Sequence, residues 1–144
     1  MNTSPKIKLF LVDDDALLLK SMELEFKEHP EFDIETFATG ELCIQNIFKN
    51  PDVVILDYHL DSIDTEAMNG IDTLDKIKSI NEEIPVIMHS SQDKIDIAIN
   101  CMHHKAFDYV IKSETSFIRL HKNIENILKM KKMKKELNWY MDKM

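Results

Sequence analysis

The sequence predicts an α/β protein, a doubly wound parallel sheet of five strands flanked by five helices, the last of them extended. Two observations predict it. Apolar runs of strand length alternate with stretches whose apolar residues recur at helical spacing, and that alternation implies a parallel sheet covered on both faces. Four of the five apolar runs also stop at a residue that carries chemistry, as expected where a ligand site lies beyond the carboxyl ends of the strands.

Each element has its own signal. Ile7 to Val12 is a short apolar run that stops at Asp13-Asp14-Asp15 and reads as a buried strand. Ala16 to Glu28 carries Leu18, Met22 and Phe26 at helical spacing and ends before the breaker Pro30. Phe32 to Phe37 alternates strictly, as a half-buried strand does. Glu41 to Phe48 is helical, with Thr39 or Gly40 near its start. Val53 to Leu56 is the third strand, ended by Asp57. Ile71 to Ile80 is a helix with Leu74 and Ile77 on one side, and Pro85 to Met88 is a strand ended by His89-Ser90-Ser91. Lys94 to His104 is helical, and Phe107 to Ile111 is the fifth strand, ended by Lys112. From Ser113 onward the chain reads as one long helix.

Composition narrows the function. The 144 residues fit a single domain, with 44% apolar and 31% charged residues. No apolar run reaches the length of a membrane span, and the start lacks a signal-peptide core. Together with two cysteines, Cys43 and Cys101, far apart and without metal-ligand spacing, this points to a reducing cytoplasm. Two glycines, Gly40 and Gly70, leave no glycine-rich phosphate loop. The net charge is −8, unevenly spread: residues 1–112 hold 10 basic and 22 acidic groups, residues 113–144 hold 8 and 4. Such an acidic body repels nucleic acid, whose binding is dominated by phosphate contacts, yet suits a hard divalent cation.

The strand ends collect Asp13, Asp14 and Asp15, then Asp57, Ser90 and Lys112. Converging carboxylates repel and raise each other's pKa unless a cation relieves them. A bound divalent ion and Lys112 supply that relief. Asp57 stands alone after its strand beside the expected metal, where a carboxylate acts as a nucleophile and forms an acyl phosphate. Ser90 then donates to the new phosphoryl group, and Lys112 holds one of its oxygens. Singly, each residue is as readily a turn or capping residue; their joint arrival at one rim favours function.

The pieces Leu11-Val12-Asp13-Asp14-Asp15, Val53-Val54-Ile55-Leu56-Asp57, Met68-Asn69-Gly70, Pro85 to Ser91 and Phe107 to Lys112 resemble, in order, the response-regulator receiver domain of two-component signalling. The resemblance covers about residues 5–128 and implies the strand order 2-1-3-4-5. It implies that Asp57 accepts phosphate from a histidine kinase or a histidine phosphotransfer protein. It implies Mg2+ (or Mn2+) held by Asp14 directly, Asp13 through water, Asp57, and the backbone carbonyl of His59. Ser90 matches the switch hydroxyl, Tyr109 the aromatic that swings inward on activation, and Lys112 the phosphoryl-contacting lysine. His59 and Gln92 match the positions that line the path of the hydrolytic water and tune dephosphorylation.

The chain departs from the family at several points. Gly70 lies thirteen residues after Asp57 instead of about eight, so about five residues are inserted within 61–67, bringing Asp61, Asp64 and Glu66. Asp61 replaces the usual proline, Ser113 follows Lys112 where a proline is usual, and Lys105 replaces a glycine before the fifth strand. The inserted loop reads as a tolerated surface loop, or as a segment that tunes the metal site or meets a kinase.

The last helix outruns the family's need. Phe117, Leu120, Ile124 and Ile127 suit packing on the sheet; Met130, Met133, Leu137, Tyr140 and Met144 continue an apolar stripe past it. Residues 129–144 are therefore expected to pair with a second copy, as a homodimer, or to lead to an output domain beyond residue 144; five lysines in 129–135 make a solvated tail the competing reading. Two other function classes compete: an aspartate-nucleophile phosphohydrolase with Asp13 as nucleophile, which leaves Asp57 unexplained, and a receiver-like module that never takes phosphate, against which Asp13, Asp14, Asp57, Ser90 and Lys112 count. The expected role is a signalling phosphoacceptor that assists only its own phosphorylation and dephosphorylation.

Overall fold

A computed structural model describes residues 6–144; the expected boundary at residue 5 lies outside them. The element order is β1 (Ile7–Val12), α1 (Ala16–Lys27), β2 (Phe32–Phe37), α2 (Gly40–Gln45), β3 (Val53–Asp57), α3 (Gly70–Ile80), β4 (Val86–Ser90), α4 (Ile95–His103), β5 (Asp108–Ile111) and α5 (Ser116–Lys143). The strands form one parallel sheet in the order β2-β1-β3-β4-β5. The predicted fold class and strand order are both present.

Side-chain alternation divides the core in two. Phe10, Val12, Val54, Leu56, Val86 and Met88 face α2, α3 and α4, where Cys43, Leu74, Ile77 and Cys101 meet them. Leu9, Leu11, Val53, Ile55, Ile87 and Val110 face α1 and α5, meeting Met22, Phe26, Leu120, Ile124 and Ile127. Both faces are apolar because helices cover both, which is why β1 and β3 read as continuous apolar runs rather than alternating ones.

Boundaries differ from the expectation where local polar groups compete. Asp57, His89 and Ser90 lie inside their strands, not after them, because β3 and β4 stay paired to their last residues. The last helix begins at Ser116, three residues later than expected, because Ser113 closes a turn: its carbonyl accepts from the Ser116 amide and its hydroxyl from the Thr115 amide. The second helix stops at Gln45 and gives way to a 3-10 turn over Ile47–Lys49, ended by Asn50 with φ of 60°. The Lys112–Ser113 bond is trans, as no cis peptide occurs among the described residues.

Two details position the rim. Asn69 caps α3 by accepting from the Asp72 amide at 2.8 Å. Gly70 follows, its amide on the Tyr58 carbonyl at 3.0 Å. A Cβ on Gly70 would come within 2.5 Å of the Asp57 carbonyl oxygen. The Met68-Asn69-Gly70 turn thus lets α3 start against the end of β3. Lys105, where a glycine is usual, holds a left-handed φ of 73° after α4.

Along α5, Leu120, Ile124 and Ile127 are buried against the sheet, as expected, while Met130, Met133, Leu137 and Tyr140 are exposed. Not all the lysines beyond Leu128 are free in solvent. Lys131 donates to the Asp52 carbonyl at 2.9 Å, and Lys134 pairs with Glu83 at 2.9 Å. Among the described residues no helix is long and apolar enough to cross a membrane.

Candidate functional site

Register decides which side chains meet. Asp13, Asp57 and Lys112 continue the phase of Leu11, Ile55 and Val110, so they rise from one face at the ends of β1, β3 and β5, with Lys112 reaching across β4. Lys112 Nζ lies 2.9 Å from Asp13 Oδ2 and 3.1 Å from Asp57 Oδ1. Asp13 Oδ1 accepts from the Asp15 amide at 2.9 Å, so both of its oxygens are engaged. Asp57 Oδ1 also takes the His59 amide at 3.3 Å; Oδ2 has no hydrogen-bond partner among the described residues. Of the two buried aspartates, only Asp57 keeps an oxygen in reserve. That geometry speaks against Asp13 as the nucleophile.

The electrostatics follow from crowding. Burial, then the neighbouring Asp13 charge, push the Asp57 carboxyl up to about 7 against the pull of Lys112. Burial works to lower the Lys112 pKa, but the two carboxylates outweigh it and the ammonium is held above its ordinary value.

Asp13, Asp14 and Asp57 each offer an oxygen within 4.8 Å of the other two, a group that can hold a metal. The donors are all carboxylate oxygens, which fits a hard divalent cation. The Asp13 charge beside Asp57 adds to the upward push of burial on its carboxyl, a crowding of negative charge that such a cation would relieve. The inserted acids do not join the group: the Asp64 carboxylate accepts from the Glu66 amide within its own loop. Instead Ser62, which the sequence reading passed over, reaches Asp14 Oδ2 with its hydroxyl at 2.5 Å and its amide at 3.2 Å, and the Ile63 amide adds a third donor at 3.3 Å. Asp15, the third acid of the run, caps α1 by accepting from the Leu17 and Leu18 amides.

The expected switch residues are connected through Gln92. Ser90 is fully buried, and its hydroxyl accepts from the Gln92 amide at 3.1 Å. Tyr109 is also buried, and its hydroxyl donates to the Gln92 carbonyl at 2.6 Å. Thus the Gln92 backbone, not its side chain, ties the two together. Nothing in a sequence marks a backbone bridge of this kind.

His89 sits between these groups. It is register partner to Asp57 and Val110 and lies in the phase of Ile87, on the α1–α5 face. It is 2% exposed, and neither ring nitrogen has a hydrogen-bond partner. Burial, then the Lys112 charge, drop its pKa to about 4, so the ring is neutral. The signal was available: a histidine two residues after Ile87 in a doubly covered strand must point into the core. His59 presents its amide to Asp57, and its ring meets Tyr58 edge-on, centroids 4.8 Å apart.

Comparison with known proteins agrees with this geometry. The family model described as "Response regulator receiver domain" matches residues 9–125. Over 129 residues the chain is 33% identical to the protein-glutamate methylesterase/protein-glutamine glutaminase of Clostridium acetobutylicum, covering 86% of this chain and 35% of that one. It is 30% identical to the regulatory protein LuxO of Vibrio cholerae, covering 75% of this chain and 23% of that one. The chain thus spans about a third or less of these curated relatives. Among solved structures, the signal receiver domain of a putative LuxO repressor protein from Vibrio parahaemolyticus superposes with a TM-score of 0.79 at 28% identity, covering 92% of this chain and 97% of that one. A family match over most of the chain, the 2-1-3-4-5 sheet and an acidic rim bridged by Lys112 together place this protein in the response regulator receiver domain family.

Proposed function

We propose that Asp57 is the phosphoacceptor of this receiver, charged by a histidine kinase or a histidine phosphotransfer protein with a divalent ion, Mg2+ or Mn2+, in the rim. The observation that carries this reading is the asymmetry of Asp57: Oδ1 is held by Lys112 and the His59 amide, and Oδ2 is left to attack. An Asp57 oxygen forms a bond to phosphorus as the bond from phosphorus to the donor's imidazole nitrogen breaks, and the leaving nitrogen takes a proton. Asp14, Asp57 and the His59 carbonyl would hold the ion, with Asp13 contributing through water, and its charge would offset that of the phosphoryl oxygens. Lys112 stays within reach of the transferred group, and Ser90, released from the Gln92 amide, donates to it. Tyr109 follows Ser90 through the shared Gln92 backbone. His59 and Gln92 border the path of the water that later cleaves the acyl phosphate.

The chain acts as a cytoplasmic signalling module and assists only its own phosphorylation and dephosphorylation. Residues 5–128 form the receiver unit, and residues 129–144 extend α5 as a linker to an output domain or a pairing surface for a homodimer; the exposed Met130, Met133, Leu137 and Tyr140 support this. The acidic body supports no direct role with nucleic acid. Intact mass after treatment with acetyl phosphate and Mg2+ tests the assignment. One phosphoryl group is expected on the full chain and none on Asp57→Asn; equal labelling of both overturns it.

A further inference from the structure

Away from the rim, His29, Glu31 and His121 each offer a ligand atom within 4.8 Å of the other two. His29 and Glu31 stand in the connection from α1 to β2, and His121 one turn after Phe117 on α5. The two imidazoles are 4.8 Å apart between centroids. His29 stacks on Phe117 at 28°, and Phe32 meets His121 edge-on. This aromatic packing sets the rings side by side before any ligand arrives, which lowers the ordering cost of a shared site. His121 Nδ1 also lies 3.4 Å from Glu125 Oε1. A carboxylate on one ring nitrogen orients the other toward a metal. Two imidazoles and a carboxylate suit a borderline divalent ion rather than the hard ion that an all-oxygen rim suits.

The geometry points to a second metal site, for Zn2+ or a similar transition ion, on His29, Glu31 and His121. An ion there pins the α1–β2 connection to α5, the helix that leaves the domain. Calorimetric titration of zinc chloride into the full chain, with Asp14→Asn to weaken the rim, should show saturable binding of one ion. His29→Ala and His121→Ala, added singly, should each weaken it roughly tenfold or more. The NMR signals of the two imidazoles should shift together. Zinc should raise the melting temperature of the parent above its value in chelator and leave that of each variant at its own chelator value, which separates metal binding from the packing each ring loses. Unchanged zinc affinity in both variants, or no saturable binding by the parent, overturns the site.

The inserted loop touches the rim itself. Ser62 Oγ is 2.5 Å from Asp14 Oδ2 and 3.4 Å from the His59 carbonyl oxygen, two of the groups assigned to the cation under the proposed function, on which this step rests. A hydroxyl in reach of both lies between them, and the Ser62 and Ile63 amides close on the same Asp14 oxygen. We infer that Ser62 is a positioning residue that clasps Asp14 and is displaced when the rim takes its cation, so the insertion sets metal affinity and moves with loading. Mg2+ titrated into the full chain and into Ser62→Ala should bind roughly two- to tenfold tighter to the variant, with Ser62→Thr restoring the parent value. Amide exchange at Ser62 and Ile63 should quicken on Mg2+ saturation. Equal affinity in all three chains overturns the clasp while leaving the metal reading intact. No Mg2+ binding by parent or variant overturns both.

Discussion

The hydroxyl of Tyr109 donates to the backbone carbonyl of Gln92 at 2.6 Å, while the amide of Gln92 donates to Ser90. One peptide segment therefore touches both residues, beside the direct influence of the Ser90 hydroxyl on the Tyr109 phenol. Removing the hydroxyl leaves the Gln92 carbonyl to water. Tyr109→Phe should cost about 1 kcal/mol in urea unfolding and raise amide exchange over residues 91–94. An unchanged midpoint and unchanged exchange would show that the bridge transmits nothing.

Gly70 is fixed by contact rather than by backbone conformation. A Cβ there would lie 2.5 Å from the Asp57 carbonyl and 2.7 Å from the Tyr58 Cα, so backbone must move. Gly70→Ala should lower stability by about 3 kcal/mol and slow Asp57 phosphorylation, because the atoms displaced are the backbone of Asp57 and of Tyr58 just after it. Chemical denaturation and phosphorylation kinetics check the two halves separately.

Lys105 presents the opposite case, a side chain where a glycine fits better. Its φ of 73° costs a residue with a Cβ about 1 kcal/mol. Lys105→Gly should raise the unfolding free energy by up to that amount, less the entropy glycine restores to the unfolded chain, and move the midpoint up with it. A lower midpoint would mean that Lys105 makes a compensating contact through its side chain.

Strand and helix order were legible because the buried strands are continuous apolar runs and the helices keep their spacing. Asp13, Asp57 and Lys112 were legible for the same reason: a strand end in this fold faces the rim, so one register argument places all three. The contact of Ser62 with Asp14 was not, since it depends on how an insertion folds back over 48 positions. Nor was the meeting of His29 with His121, which are 92 positions apart in sequence and joined only by the packing of α1, β2 and α5. The start of α5 at Ser116 was missed because Ser113 offers its hydroxyl and carbonyl to a turn.

Asp57 makes cation binding depend on pH. Its carboxyl stands near 7 in the fold against 3.8 in the unfolded chain. A raised carboxyl supports the fold below the unfolded value and loses that support as pH rises through 7. The cation needs the ionised form, so binding at pH 6 expels a proton and Mg2+ affinity rises up to about pH 7–8, then levels. Calorimetry in buffers of different ionisation heat counts the proton. A pH-independent affinity between 6 and 8 would place the Asp57 carboxyl at its ordinary value.

His89 works against the fold as pH falls, opposite in sign to Asp57. Its pKa is about 4 when folded and 6.5 when exposed. A depressed base contributes stability above its unfolded pKa and loses it as pH falls from 6.5 through 4, because the unfolded chain takes up the proton that the buried ring refuses. The full span of that loss is about 3 kcal/mol. Both ring nitrogens are also buried without partners, a cost present at every pH. Valine fits the strand and the apolar face of Ile87 and Val110, carries no orphaned nitrogen and does not titrate. His89→Val should therefore raise stability at pH 7 by about 1–2 kcal/mol, within the usual cost of unsatisfied buried groups. The advantage of the variant should also grow as pH falls from 6.5 to 4, because it lacks the acid loss that His89 sets against the opposite contribution of Asp57. Unfolding curves taken across that range on both proteins check this: a constant difference between them would show that His89 contributes nothing to the pH dependence.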